Sequence, residues 1–278
     1  MCFVYFVVKN LPRRCAAVYE ENIMPSIHAG DLHIHYLEAG DGEPVIFLHG
    51  NWATAAWWEP TLARLPAGYR GLAPDLRGRG ETTGPDTDYS IAALAGDLLA
   101  FADSLGLARL HLVGHSLGAA IALQAALENP TRVLTLTVVA PPWPDGMPEE
   151  LNLPDRQRML KDQPEFFAQA LKFMAPTAPD DAYWRRLVEA GRTQSIEVSI
   201  ANLDALCAWR PGDRLAAITA PTLVLGGTLD PLTTAAVVER MAAALGVTAT
   251  ILPDVGHSVI IEQPDLFMEL LAAQLRRA

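Results

Sequence analysis

Apolar residues along this chain fall into short unbroken runs separated by longer stretches with helical spacing. Residues 45–48 form one such run, and others fall at 71–73, 110–113, 133–139, 222–225 and 247–252. An unbroken run of this length suits a strand covered on both faces, as in a parallel sheet. Residues 27–38 behave differently, because Leu32, Ile34 and Tyr36 alternate with His33 and His35. That alternation predicts a strand, and Ala39-Gly40-Asp41-Gly42 after it predicts a turn. Helical spacing covers 54–65, 91–105, 117–128, 235–245 and 266–275. Strands alternating with helices of this length imply βαβ units. The predicted class is α/β, a mainly parallel central sheet with helices on both faces.

One stretch interrupts the rhythm. Residues 141–212 show no buried-strand run, only prolines between short amphipathic segments such as 165–174 and 180–190. Trp143, Phe166, Phe167, Phe173, Met174, Tyr183, Trp184 and Trp209 make this stretch too rich in large apolar residues for a loop. It is expected to be a helical cap inserted into a core formed by 24–140 and 213–278, and such insertions often cover active sites. Met24-Pro25-Ser26 precedes the first regular pattern, so residues 1–23 are expected to be an N-terminal extension whose order the sequence leaves open.

Composition narrows the function. The chain has 278 residues, 50% of them hydrophobic, and a formal charge of −11. It is too apolar to be disordered. Its lysines are Lys9, Lys161 and Lys172, which argues against a nucleic-acid partner. Cys2, Cys15 and Cys207 are widely spaced and odd in number, so a reducing, cytoplasmic setting is expected. The apolar start at 1–8 lacks a basic flank before it and is far shorter than a membrane span. His33 and His35 share a strand face, yet no third ligand at metal spacing accompanies them, and they are expected to be surface residues. No metal or cofactor is expected, and whether the protein is a monomer or a homodimer is left open.

The sharpest chemical signal is Gly114-His115-Ser116-Leu117-Gly118, a G-x-S-x-G motif between the run at 110–113 and an apolar helix. A serine on a strand-to-helix turn needs a tight backbone, which flanking glycines permit, and the helix start directs N–H groups at it. Serine also needs a base, and the base an orienting acid. Asp230 follows the run at 222–225, and His257 lies in a Gly-containing loop after the last strand. The order Ser116, Asp230, His257 is the one this arrangement requires. Asp254, near His257, and Asp145, after the strand at 133–139, are the competing acids. For the oxyanion, Leu117 supplies one backbone N–H and the loop His49-Gly50-Asn51-Trp52 the other, from Asn51 or alternatively Trp52. Trp52, His115 and Trp143 are the candidate pocket residues. His49 is expected to shape the loop, and Trp57-Trp58 either to line the pocket or to pack a helix.

From about residue 25 onward the sequence resembles the α/β-hydrolase superfamily. The matching pieces are His49-Gly50, Pro74-Asp75-Leu76-Arg77-Gly78-Arg79-Gly80, Gly114 to Gly118, Pro221 to Asp230, and Gly256-His257 with Glu262-Gln263-Pro264. Serine at 116 sets the chain apart from the dehalogenases and epoxide hydrolases of that superfamily, whose nucleophile is Asp. The meta-cleavage Gly-rich loop and the proline iminopeptidase elbow are absent as well. The resemblance implies an esterase-like serine hydrolase, and the prolines and large apolar side chains of 141–212 predict an enclosed pocket for a small or medium ester. The same residues could serve a lactonase, a perhydrolase or a C–C bond hydrolase. A ligand-binding module is the alternative from another class.

Overall fold

The computed structural model describes residues 25–278. The expected extension at 1–23, with Cys2, Cys15 and Lys9, lies outside the described residues. The first strands are β1 (Ser26–Ala29), β2 (Leu32–Gly40) and β3 (Gly42–Leu48). A 3-10 turn at Ala55–Trp58 and the short helix α1 (Glu59–Leu62) lead to β4 (Gly68–Pro74). Then α2 (Ile91–Ser104), β5 (Leu110–His115), α3 (Leu117–Glu128) and β6 (Val133–Val139) follow. After them come α4 (Pro154–Asp162), α5 (Pro164–Met174), α6 (Ala182–Thr193) and α7 (Ile196–Ala208). The chain closes with β7 (Thr222–Gly227), α8 (Ala235–Ala244), β8 (Ala249–Leu252), α9 (Val259–Glu262) and α10 (Pro264–Leu275).

The eight strands of the described residues join one sheet in the order β1-β2-β4-β3-β5-β6-β7-β8. Pairing is parallel from β4 through β8, and antiparallel only where β2 meets β1 and β4. β5 and β6 are buried along their whole length, as their unbroken apolar runs require. Side chains alternate between two cores. Ile46 and Leu48 face the layer of α2, α3 and α8, while Val45 and Phe47 face α1, α9 and α10.

Several elements differ from the sequence reading for local reasons. The expected strand at 27–38 is a hairpin, because Gly30 at φ +60° turns the chain and pairs Ala29 with Leu32. The expected helix at 54–65 is reduced to a 3-10 turn and α1, where the Ala55 N–H is taken by Asp75 Oδ1 at 2.7 Å. β4 is longer than its apolar run, since Tyr69 also pairs with β3 and Arg70 with both β2 and β3. His35 is not a surface residue: its Nδ1 lies 3.2 Å from the buried Asp75 carboxylate.

Between β6 and β7, four helices occupy the stretch where an insertion was expected. Pro154 and Pro164 open α4 and α5, where a missing N–H costs nothing. The Asp181 side chain caps α6 and Ser195 caps α7. Trp184 and Leu187 of α6 join one core, and Leu206 and Cys207 of α7 the other, so the insertion is anchored to both layers.

Trp58 is fully buried, with ring centroids 5.1 Å from Phe47 on β3 and 6.1 Å from Phe267 on α10. Trp58→Ala is expected to destabilise the protein by about 3–5 kcal/mol through the cavity left between sheet and helix. Urea unfolding measures this, and a loss below about 1 kcal/mol would contradict the packing described.

Candidate active site

Ser116 occupies the single residue between β5 and α3, at φ +54° and ψ −115°. Such a conformation costs a non-glycine residue on the order of 1–3 kcal/mol and must be imposed by its surroundings. A Cβ on Gly114 would stand 2.3 Å from the Gly118 carbonyl oxygen, and one on Gly118 would stand 2.2 Å from that of Leu48. The two glycines therefore let β5, α3 and the end of β3 approach one another, and the Ser116 N–H completes the lock on the Val139 carbonyl at 2.9 Å.

The loop after β3 lies against this elbow. A Cβ on Gly50 would be 3.2 Å from the Ser116 Cβ and 3.1 Å from His115 Nδ1. The backbone of Gly50 thus lies beside the serine, and the N–H of Leu117 belongs to the first turn of α3, where it has no intrahelical partner. His49 holds the loop from beneath. Its Nε2 accepts from the Leu76 N–H at 3.1 Å and its Nδ1 donates to the Gly50 carbonyl at 2.8 Å, which defines a neutral tautomer. Burial pushes its pKa down to about 4 despite nearby Asp75.

Asp230 lies beyond β7 and His257 beyond β8, and the structure brings them together, with His257 Nδ1 2.7 Å from Asp230 Oδ2. Asp230 also accepts the N–H groups of Leu232 and Thr233 and the Thr233 hydroxyl. Burial alone would raise its pKa. The His257 imidazole and these donors outweigh burial and hold it at about 2. With Nδ1–H given to Asp230, neutral His257 keeps its lone pair on Nε2. The competing acids are elsewhere. Asp145 is exposed and paired with Arg240, and Asp254 is an exposed residue at φ +56°.

Of the candidate pocket residues, His115 lies against this pair. Its ring centroid is 5.0 Å from that of His257, and its Nε2 donates to the His257 carbonyl at 3.0 Å. Burial, reinforced by the neighbouring His257, pushes the pKa of His115 down to about 3. Trp57 stacks on His115 and meets Trp184 of α6 edge-on, whereas Trp58 belongs to the core. Trp52, at φ +59°, packs edge-on to Phe167 and donates to Gln157 Oε1. Trp143 is buried in the apolar cluster that also holds Met147, Leu206 and Trp209.

Two residues were not singled out from sequence. Glu262 is buried and brackets His257, accepting the N–H groups of Gly256 at 2.9 Å and Ser258 at 2.9 Å. It also takes the N–H and hydroxyl of Thr177 from the insertion, while the His257 N–H donates to the Met174 carbonyl at the end of α5. Arg79 is the other, with Nη2 2.5 Å from Asn51 Oδ1. The Glu-Gln-Pro and Arg-Gly-Arg-Gly strings were visible, but their partners lie far away in the chain. Among the described residues no group of three or more His, Cys, Asp or Glu side chains is arranged to hold a metal.

Glu262→Gln should lower both thermal stability and activity, because an amide cannot accept from all its present donors and leaves one unpaired. A buried unpaired donor costs about 1–3 kcal/mol. Calorimetry checks this, and an unchanged melting temperature would contradict it. The buried imidazoles also set an acid limit. His49 and His115 stay neutral in the fold but take up protons in the unfolded chain below their ordinary value of 6.5. The unfolded state then binds more protons, so stability must fall as pH drops from about 6.5 towards 4. The depressed Asp230 adds a loss of the same sign below about pH 4. Urea midpoints measured from about pH 7 to 4 should decrease steadily, with a shallower slope for His115→Asn. A flat profile would contradict the buried neutral state.

Comparison with known proteins agrees with this architecture. The model of the alpha/beta hydrolase family matches residues 45–270. A candidate carbamate hydrolase, RutD of Variovorax paradoxus strain S110, is 34% identical over 88% of this chain and 96% of its own. A candidate lipase from Acinetobacter baumannii AYE superposes with a TM-score of 0.80 at 26% identity, covering 91% of both chains. Est816, described as an N-acyl homoserine lactone degrading enzyme, gives 0.76 at 26% identity, over 90% of this chain and 99% of its own. The chain belongs to the alpha/beta hydrolase family.

Proposed function

We propose that the protein is a serine hydrolase that cleaves small or medium carboxylic esters through an acyl-enzyme. Ser116 Oγ attacks the ester carbonyl while His257 Nε2 takes its proton. Asp230 holds the Nδ1–H and offsets the charge of the imidazolium that forms. The N–H groups of Leu117 and Asn51 receive the oxyanion. His257 then returns the proton to the departing alcohol. Water, deprotonated by His257, attacks the acyl carbonyl, the acid leaves, and Ser116 regains its proton.

The observation that carries this reading is the conjunction of the strained serine with the buried Asp230–His257 pair at 2.7 Å. A strained non-glycine residue persists only where the fold over-determines it, and functional sites are where such strain collects. The inserted helices support a small substrate. Trp52 against Phe167, and the His257 N–H on Met174, put the insertion in contact with both loops beside Ser116. The charge of −11 supports a small-molecule partner over nucleic acid. The buried Cys207 thiol fits a cytoplasmic setting, and among the described residues no helix is long and apolar enough to cross a membrane.

A second reading has one observation in its favour. The relative at 34% identity is named for carbamate hydrolysis, and the same attack and oxyanion steps would serve a carbamate carbonyl.

Ser116→Ala should lose at least about 10³-fold in kcat on a short ester, with an unchanged circular dichroism spectrum. A fluorophosphonate probe should label the wild type and not the variant. Unchanged turnover, or labelling elsewhere, overturns the assignment. Short soluble esters should be cleaved faster than emulsified long-chain lipids, and the opposite order would contradict an enclosed site. Higher kcat/KM for a carbamate than for the ester with the same leaving alcohol selects the second reading.

A further inference from the structure

Arg77 and Arg79 leave β4 two residues apart and meet opposite fates. Arg77 pairs with both oxygens of Asp97, at 2.8 and 2.7 Å. Arg79 is only 1% exposed and has no carboxylate partner among the described residues. Its Nη2 donates to Asn51 Oδ1 at 2.5 Å and its Nη1 to the Ser195 carbonyl at 3.5 Å, while its buried Nε has no partner. Burial lowers its pKa to about 10, so the guanidinium stays charged at neutral pH.

The groups that Arg79 hydrogen-bonds are polar but neutral. Asn202 of α7, 1% exposed, donates to Asn51 Oδ1 at 3.3 Å, and its own Oδ1 has no partner. Asn51 Nδ2 donates to the Ser199 carbonyl at 3.0 Å. Asn51 follows Gly50, whose backbone touches the Ser116 side chain. A permanent cation is thus buried against Asn51, the neighbour of the residue that touches the serine, between the oxyanion loop and the inserted helices. Burying an unpaired charge is costly, and a neutral Gln or Met could fill the space at less cost. The charge gains its value only against a negative group, and the planar fork of Arg matches a carboxylate.

We propose that the substrate carries a carboxylate one or two carbons from the acyl carbonyl, and that Arg79 receives it through its Nε and an adjacent Nη. The substrate class is then the half-ester of a short dicarboxylic acid. This rests on Ser116 as the nucleophile. Arg79 is a specificity residue, while the bond-breaking steps stay with Ser116 and His257.

Methyl butyrate and monomethyl succinate match in acyl length and differ in charge, and methanol release measures both. The wild type should favour monomethyl succinate by about tenfold or more in kcat/KM, and Arg79→Gln should reduce that ratio to about one or below. Arg79→Lys, which keeps the charge without the fork, should fall between. A wild-type ratio of one or less overturns the proposal, as does a ratio that Arg79→Gln leaves unchanged.

Calorimetry on Ser116→Ala separates this from the nucleophile assignment, since it needs no turnover. At constant ionic strength that protein should bind succinate about tenfold more tightly than neutral succinamide, and the added Arg79→Gln should abolish the difference. Equal binding of the two overturns the carboxylate subsite even if Ser116 labels with fluorophosphonate. Tighter succinate binding by a protein that fails to label supports the subsite while the nucleophile assignment falls. Should Arg79→Gln not fold, the wild-type ratio and the succinate preference of Ser116→Ala still decide.

Discussion

The positive-φ turn at Ser116 exists because three backbone segments come closer than any side chain allows. Gly114 lies against Gly118, Gly118 against the end of β3, and Gly50 against Ser116 itself. Those contacts set where the loop after β3 runs and which N–H groups face the serine. They depend in turn on parallel pairing of β5 with β3 and β6, which fixes the ends of all three strands at one edge of the sheet. Asp230 and His257 reach that edge from β7 and β8 by the same parallel pairing. Ligands of open α/β sheets bind at this carboxyl edge for that geometric reason.

Polar groups then lock the loops to one another. Asp75 accepts the N–H groups of Ala55 and Glu81, tying the loops after β3 and β4 together. Glu262 ties the His257 loop to Thr177, and Asn51 ties the loop after β3 to α7. The inserted helices therefore hold both the loop after β3 and the loop that carries His257. Loop positions that would otherwise drift are set by buried hydrogen bonds, whose loss is expensive in a low-dielectric interior.

The legible parts of the sequence were those whose physics is local. Unbroken apolar runs marked the parallel strands, and Gly114 and Gly118 marked the elbow because a turn needs them within a few residues. The hairpin at Gly30 is masked because only Gly30-Asp31 separate two stretches that both alternate, although the phase shifts there from Ile27 and Ala29 to Leu32, Ile34 and Tyr36. α4 and α7 were not delimited, since Pro154 opens a helix with no buried residue and α7 is buried on more than one side. Glu262 and Arg79 could be read only as charged residues in short strings. Their meaning comes from partners in the inserted helices and, for Arg79, from having no carboxylate partner among the described residues.

On the proposed mechanism Ser116 becomes covalently acylated during turnover. Rapid acid quench of the wild type with a slowly deacylating ester, followed by peptide mass mapping, should show an added acyl mass on the peptide containing Ser116. Steady turnover with no adduct, or an adduct on another residue, would contradict it.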